Sequence, residues 1–276
     1  MDIDAVGLDF VEGKQSLSLV KEYGFPKDKL LLAGVVNGKN IWRNHYSRTL
    51  ALLADLKKTG ARIGIGTSCS LLHVPYTVAQ ETKLPEYALK HFSFAEEKLQ
   101  ELRDLSFLFS LENAEPEKIY QVNDALFQSD RIGKNAAVQA EVFALKPDDF
   151  TRFPSFEERE KLQKTRFRLP LFPTTTIGSF PQTAEVRSNR AAFRKNLICG
   201  EQYRQFNFDR IKECISLQEK IGLDVLVHGE FERNDMVEYF GEHLQGFLFT
   251  EKAWVQSYGT RCVKPPIVWE LSLIHI

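Results

Sequence analysis

Apolar runs and polar stretches alternate along the first hundred residues in the manner of parallel βα units. The runs "AVGLDFV" (Ala5 to Val11), "KLLLAGVV" (Lys29 to Val36) and "RIGIGTS" (Arg62 to Ser68) are short, and each precedes a Gly or Asn break and an amphipathic stretch. Their separation leaves room for a strand and a crossover helix, which predicts an α/β architecture. After the second run, Leu50, Leu53 and Leu56 fall on one helical face and Gly60 stands where the helix should stop. From Pro85, the positions Ala88, Phe92, Ala95, Leu99 and Leu102 alternate by four and three, which predicts one long helix with an apolar stripe.

From 113 to 168 the pattern changes: charge rises, prolines are scattered and no apolar strand occurs. This stretch is read as an interdomain connection. It closes on "SFEEREKLQKTRF", where Ser155 and Glu158 have capping-box spacing for one polar helix. The βα pattern resumes with "FPTTTIGSF", a helix through Ile211, Cys214 and Ile215 that stops at Gly222, and the strand "LDVLVHGE". Residues 1–112 and 169–270 therefore form two α/β parts, and neither holds the eight strands and about 250 residues of a closed barrel. The final "LSLIHI", residues 271–276, has a codon choice, CTG TCT CTT ATA CAC ATC, that matches a transposon-end sequencing adapter. It is set apart from the fold as foreign sequence.

Composition narrows the function classes. The 276 residues carry a net charge of −1 with acids and bases interspersed, so no field draws nucleic acid or an anionic membrane. Cys69, Cys199, Cys214 and Cys262 form no CxxC pair, which suits thiols in a reducing cytosol. No signal peptide or membrane-spanning run is present in the sequence, and a soluble, cytoplasmic protein is expected.

Three clusters carry candidate chemistry. In "TTTIGSFPQT", Gly178 permits close backbone approach and Ser179 offers a hydroxyl beside exposed N–H groups, which can hold a carboxylate, although taken alone the segment is better explained as a plain βα turn. In "DVLVHGEFERNDMVEYFGEH", Gly229 breaks the strand and Glu230 stands at its C-terminal end, where parallel α/β folds place functional groups. A carboxylate there can bind an ammonium, and Arg233 can orient it. Glu232 and Asp235 are read as solvated charges at a helix start, and His228 as a core histidine. In "WVQSYGTRCVKPPI", Trp254 and Tyr258 can stack on a flat heterocycle or pack in a core, Arg261 can meet an anion, and Cys262 is read as a buried thiol. Cys69 and His73 in "TSCSLLHVP" have zinc-binding chemistry but make only two ligands, so packing is the better explanation.

Taken together, "FPTTTIGSFPQT", "GLDVLVHGEFERNDMVEYFGEHLQGF" and "WVQSYGTRCVKPPI" resemble the cobalamin-independent methionine synthases, with an almost unbroken match from Leu169 to Ile267. "DFVEG", "LLAGVVNGKNIWR" and "TSCSLLHVP" resemble the last βα units of that family's N-terminal barrel. The resemblance implies the middle of a longer, monomeric enzyme with two (β/α)8 barrels joined by a helical linker. That enzyme moves a methyl group from 5-methyltetrahydropteroyltri-L-glutamate to L-homocysteine and yields L-methionine. It implies that Ile177, Gly178 and Ser179 hold the amino-acid carboxylate, that Glu230 holds its ammonium, and that Arg261 and Cys262 contact the folate. It also implies a zinc cofactor, because zinc converts a thiol with a pKa near ~8.5 into a thiolate nucleophile. The family's His-x-Cys ligand pair occurs nowhere here, so no metal ligand or catalytic residue is expected in this chain and the segment alone is expected to be inactive. A noncatalytic amino-acid or folate-binding α/β module is the alternative, and a barrel acting on another substrate is a third reading.

Overall fold

In the computed structural model, the described residues are 3–111, 118–128, 136–244, 246–257 and 259–269. The chain divides into two compact units, Met1–Asn135 with Gln245–Ile276, and Ala136–Leu244. Tyr258 and residues 271–276 lie outside the described residues, as do parts of the connecting stretch.

The first unit is built on the three runs foreseen as strands: β1 (Ala5–Asp9), β2 (Leu30–Val36) and β3 (Arg62–Thr67). They pair in parallel and in chain order, Ala5 opposite Leu30 and Leu30 opposite Arg62. Helices α1 (Ser16–Tyr23) and α2 (Tyr46–Lys57) follow β1 and β2. Leu31, Ala33 and Val36 of β2 meet Leu53 and Leu56 of α2 in a core that solvent does not reach. Helix α2 ends within three residues of Gly60, whose φ of +77° is the left-handed geometry that glycine tolerates.

The single long helix expected from Pro85 is instead two, α3 (Glu86–Leu89) and α4 (Ala95–Ser110). Tertiary bonds break it. Phe92 bridges Trp42, Ser93 N–H donates to the Ile41 carbonyl at 2.7 Å, and Phe94 N–H donates to the Glu97 carboxylate at 3.1 Å. The break shifts the buried face of α4: Leu99 is exposed, while Lys98, Glu101 and Leu105 are buried. Burial lowers the Lys98 pKa to about 8 and raises that of Glu101.

Within the stretch read as a connection, α5 (Lys118–Gln128) docks on α2, and its buried Asn123 accepts from Tyr46 N–H at 2.9 Å. The same unit takes in the segment after 245. There β4 (Phe247–Leu248) pairs antiparallel with β7 (Ile267–Val268), and β5 (Val255–Gln256) pairs with β6 (Cys262–Val263). Ala253, Ile267 and Trp269 share a second core with Val74, Phe92 and Phe94.

The second unit holds α6 (Ala136–Ala144), α7 (Phe156–Phe167), α8 (Ala184–Arg194), α9 (Gly200–Ile221) and α10 (Met236–Glu242). Ser155 and Glu158 form the expected reciprocal cap of α7, and Gly222 ends α9 in the left-handed conformation. "FPTTTIGSF" and "LDVLVHGE" do not reach full strand pairing. They run side by side as extended segments whose only regular bridge joins Ser179 to Gly229 in parallel. Among the described residues no further strand flanks them, and Val225 and Leu226 stay more than a third exposed.

Candidate functional site

The two extended segments of the second unit frame the site. At their first ends the Asp224 carboxylate accepts from the Thr174 N–H and hydroxyl, each at 2.8 Å, and these bonds hold its pKa below the usual carboxylate range. At their far ends Phe180 N–H donates to the Gly229 carbonyl at 2.9 Å. This register places Gly178 directly under Glu230. A Cβ on Gly178 would lie 3.0 Å from Glu230 Oε1, and the φ of +111° there already disfavours any side chain. Glu230 is itself left-handed, with φ of +58°, an uncommon state for a non-glycine residue and one often stored at functional sites.

Glu230 Oε1 is ion-paired with Arg233, and both side chains are largely sheltered. That pairing raises the already high Arg233 pKa and fixes the carboxylate's orientation. The turn is held from behind by side chains that the sequence reading missed. Arg190 of α8 donates to the Phe231 and Arg233 carbonyls at 2.9 and 3.1 Å and to Gln182 Oε1 at 2.6 Å. Tyr203 of α9 donates to the Glu232 carbonyl at 3.1 Å. The signal for Arg190 was its position one helical turn after the buried Val186, a cation on the inward face of α8. Under the turn, Gln218 clamps Val227 by accepting from its N–H at 2.9 Å and donating to its carbonyl at 2.7 Å, while Phe231 and Cys214 are buried beside Val186.

Four of the expected site residues are therefore brought together: Ile177, which is 92% exposed, Gly178, exposed Ser179, and Glu230. The arrangement offers hydroxyl and backbone donors on one segment and a sheltered carboxylate on the other. It suits a zwitterion whose carboxylate and ammonium are a few atoms apart.

Several nearby assignments change. His228 is not a core residue; it is exposed, and its Nε2 lies 2.9 Å from Glu232 Oε1. Glu232 is correspondingly a sheltered partner rather than a solvated charge. Asp235 does cap a helix, accepting from Val237 and Glu238 N–H at 3.0 Å each. Arg261 and Cys262 fold with the first unit, and Cys262 is exposed rather than buried, because its two-residue strand lies in an open hairpin. Trp254 is 55% exposed and faces the Lys264 ammonium at 5.7 Å. Cys69 is exposed, and His73 Nδ1 lies 3.0 Å from the Gln256 carbonyl. Among the described residues no three His, Cys, Asp or Glu side chains converge as metal ligands, and no helix is long and apolar enough to cross a membrane.

Residues 172–274 match the catalytic domain of the cobalamin-independent synthases, and residues 1–61 match their N-terminal domain. A 5-methyltetrahydropteroyltriglutamate–homocysteine methyltransferase of Campylobacter jejuni (strain RM1221) is 59% identical over 266 residues, covering 96% of this chain. The protein of the same name from Lactococcus lactis subsp. cremoris (strain MG1363) is 56% identical over 269 residues, covering 98% of it. The chain spans 35% of the length of each of these relatives.

Proposed function

We propose, from the premise that the chain belongs to the cobalamin-independent synthase family, that it is a segment of an enzyme transferring a methyl group from 5-methyltetrahydropteroyltri-L-glutamate to L-homocysteine to form L-methionine. In this reading residues 1–112 are the last βα units of a first (β/α)8 barrel, 113–168 the connection, and 169–270 the first units of a catalytic barrel. The parallel order of β1, β2 and β3 and the parallel bridge between Ser179 and Gly229 are compatible with both parts. The whole enzyme is assigned to the cytoplasm as a monomer, a compartment that four free cysteines suit.

The segment's own contribution is amino-acid recognition. Glu230 takes the ammonium of homocysteine or methionine, and Ser179 with the backbone at Ile177 and Gly178 takes its carboxylate. Arg233 pairs with Glu230 and keeps it aimed, while Arg190 and Tyr203 fix the loop carbonyls. Arg261 and Cys262 are assigned to the folate. Zinc belongs in this reading to the whole enzyme; the described residues do not fit it, since no ligand cluster converges among them.

The observation that carries the reading is Gly178 beneath Glu230, a side-chain-free floor under a sheltered carboxylate. Truncating one partner of a desolvated charge pair costs about 2–5 kcal/mol of binding. Glu230→Gln in the whole enzyme should therefore raise the KM for homocysteine far more than the KM for the folate. Equal changes in both, or none, would reject the assignment. The rival reading, a noncatalytic binding module, predicts calorimetric amino-acid binding with no methyl transfer even by the whole protein.

A further inference from the structure

The first unit has a cavity of about 430 Å³ at the C-terminal ends of β1 and β2, beside the start of α2. Its size is ordinary for a small-molecule site, and its place is where open parallel sheets hold ligands. No aspartate or glutamate lines it, whereas Arg43, His45 and Arg48 do.

The hydrogen-bond inventory is one-sided. Asn37 Oδ1 is already occupied by the N–H groups of Lys39 and Asn40, at 2.8 and 2.9 Å. Asn40 Oδ1 takes Trp42 N–H at 3.2 Å and Lys98 Nζ at 3.5 Å. Asn44 is satisfied at both ends, by Thr49 Oγ1 and by the Val35 carbonyl. His45 Nδ1 is engaged by Ser47 Oγ at 2.8 Å and by Arg48 N–H at 3.5 Å; with Nδ1 accepting, Nε2 is the ring's donor. Neither guanidinium makes a hydrogen bond or ion pair with another described residue. Hence the groups left over are donors: two Asn amides, an imidazole N–H and two guanidinium forks.

The neighbouring acids do not cancel this. Asp9 accepts its own turn's N–H groups from Val11 and Glu12, at 2.7 and 3.0 Å, and Asp104 accepts the Tyr46 hydroxyl at 2.8 Å. Glu101 stands behind Asn44, whose N–H it accepts at 3.0 Å, with Lys98 and Arg43 both near enough to act on its charge but no hydrogen bond to Arg43, and Asp124 acts on His45 from outside the lining. Guanidinium pairs without carboxylate partners match the planar, bidentate geometry of carboxylate and phosphate groups.

We propose that this cavity is a binding site for a small organic anion, held through a carboxylate or phosphate group by Arg43 and Arg48 with the free amides of Asn37 and Asn40. It is built from residues of the first unit alone and does not depend on the reading given to the amino-acid site.

The test is calorimetric titration of the 276-residue chain with inorganic phosphate and, separately, with glutarate, at ionic strength held constant with sodium chloride. One saturable site per chain is expected for at least one of them, and the tighter anion identifies the acidic group preferred. Arg48→Gln, on an exposed position of α2, should weaken binding about tenfold while leaving the circular dichroism melt unchanged. Arg43→Met should do the same, and Arg48→Gln keeps the test open should Arg43→Met fail to fold. Arg103→Gln, a surface charge outside the cavity, should leave affinity unaltered. No saturable heat with either anion would overturn the proposal. So would equal weakening by Arg48→Gln and Arg103→Gln, which would reduce it to general electrostatics.

Discussion

The parallel pair β1–β2 and the parallel pair formed by residues 174–180 and 224–230 start from similar sequence patterns and end differently. In the first unit β2 has a neighbour on each side, a helix over its face, and Leu31, Ala33 and Val36 fully buried. In the second, no other described strand flanks the segments, and side chains carry part of their pairing: Asp224 with Thr174 at one end, Gln218 around Val227 at the other. The sheet is a scaffold that buries its backbone. The second pair leaves Ile177, Ser179 and Glu230 within reach of a ligand, and the cost is poorer pairing.

The largest test of that contrast is in the cores. Leu31→Ala should lower stability by about 2–5 kcal/mol, because it empties a site enclosed by sheet and helix. Leu226→Ala, 38% exposed, should cost less than about 1 kcal/mol. Denaturant unfolding of both variants decides it; equal losses would mean the two regions are packed alike.

Next in size is the polar part of the first unit's interior. Lys98 has a folded pKa of about 8 against an unfolded value of 10.5, so between those values the unfolded chain binds more protons. Stability from this group therefore rises with pH from about 8 to about 10, by on the order of 2–3 kcal/mol before coupling to Glu101 is discounted. Lys98→Met should flatten that rise in a melting-temperature profile. A profile of unchanged slope would show that Lys98 is not charged at the cost burial implies.

The last test separates two glycines by whether stability or binding is lost first. A Cβ on Gly34 in β2 would approach the Ser68 Cα to 2.8 Å, backbone that cannot move, so Gly34→Val should unfold the sheet. A Cβ on Gly178 meets chiefly the end of the Glu230 side chain. Gly178→Val should cost only the backbone strain of about 1–3 kcal/mol while displacing the carboxylate, so that the homocysteine KM of the whole enzyme rises before its melting temperature collapses. If both glycine variants melt alike, the turn at Gly178 is structural and nothing more.

Much of this was legible in the chain itself. The three apolar runs, the amphipathic stripe ending before Gly60, the Ser155–Glu158 cap and the stop at Gly222 are local signals, set by side-chain period and backbone freedom. They survive in any tertiary context that buries the same face. Gly178, Ser179 and Glu230 were also visible, since a glycine and an acid at a strand's C-terminal end are local features. What tertiary structure alone decided depends on partners distant in sequence. The bridge from Trp42 to Phe92 split one periodic helix into two and turned Lys98 and Glu101 inward, against the stripe that periodicity marked. His228 left the core because Glu232 lay within reach, and Cys262 became exposed because its strand is short and in an open hairpin. The register between Thr174 and Asp224 set Glu230 over Gly178, and Arg190 reached the loop from another helix. Periodicity reports which face a residue shares with its own element; which element covers that face is fixed only when the chain closes on itself.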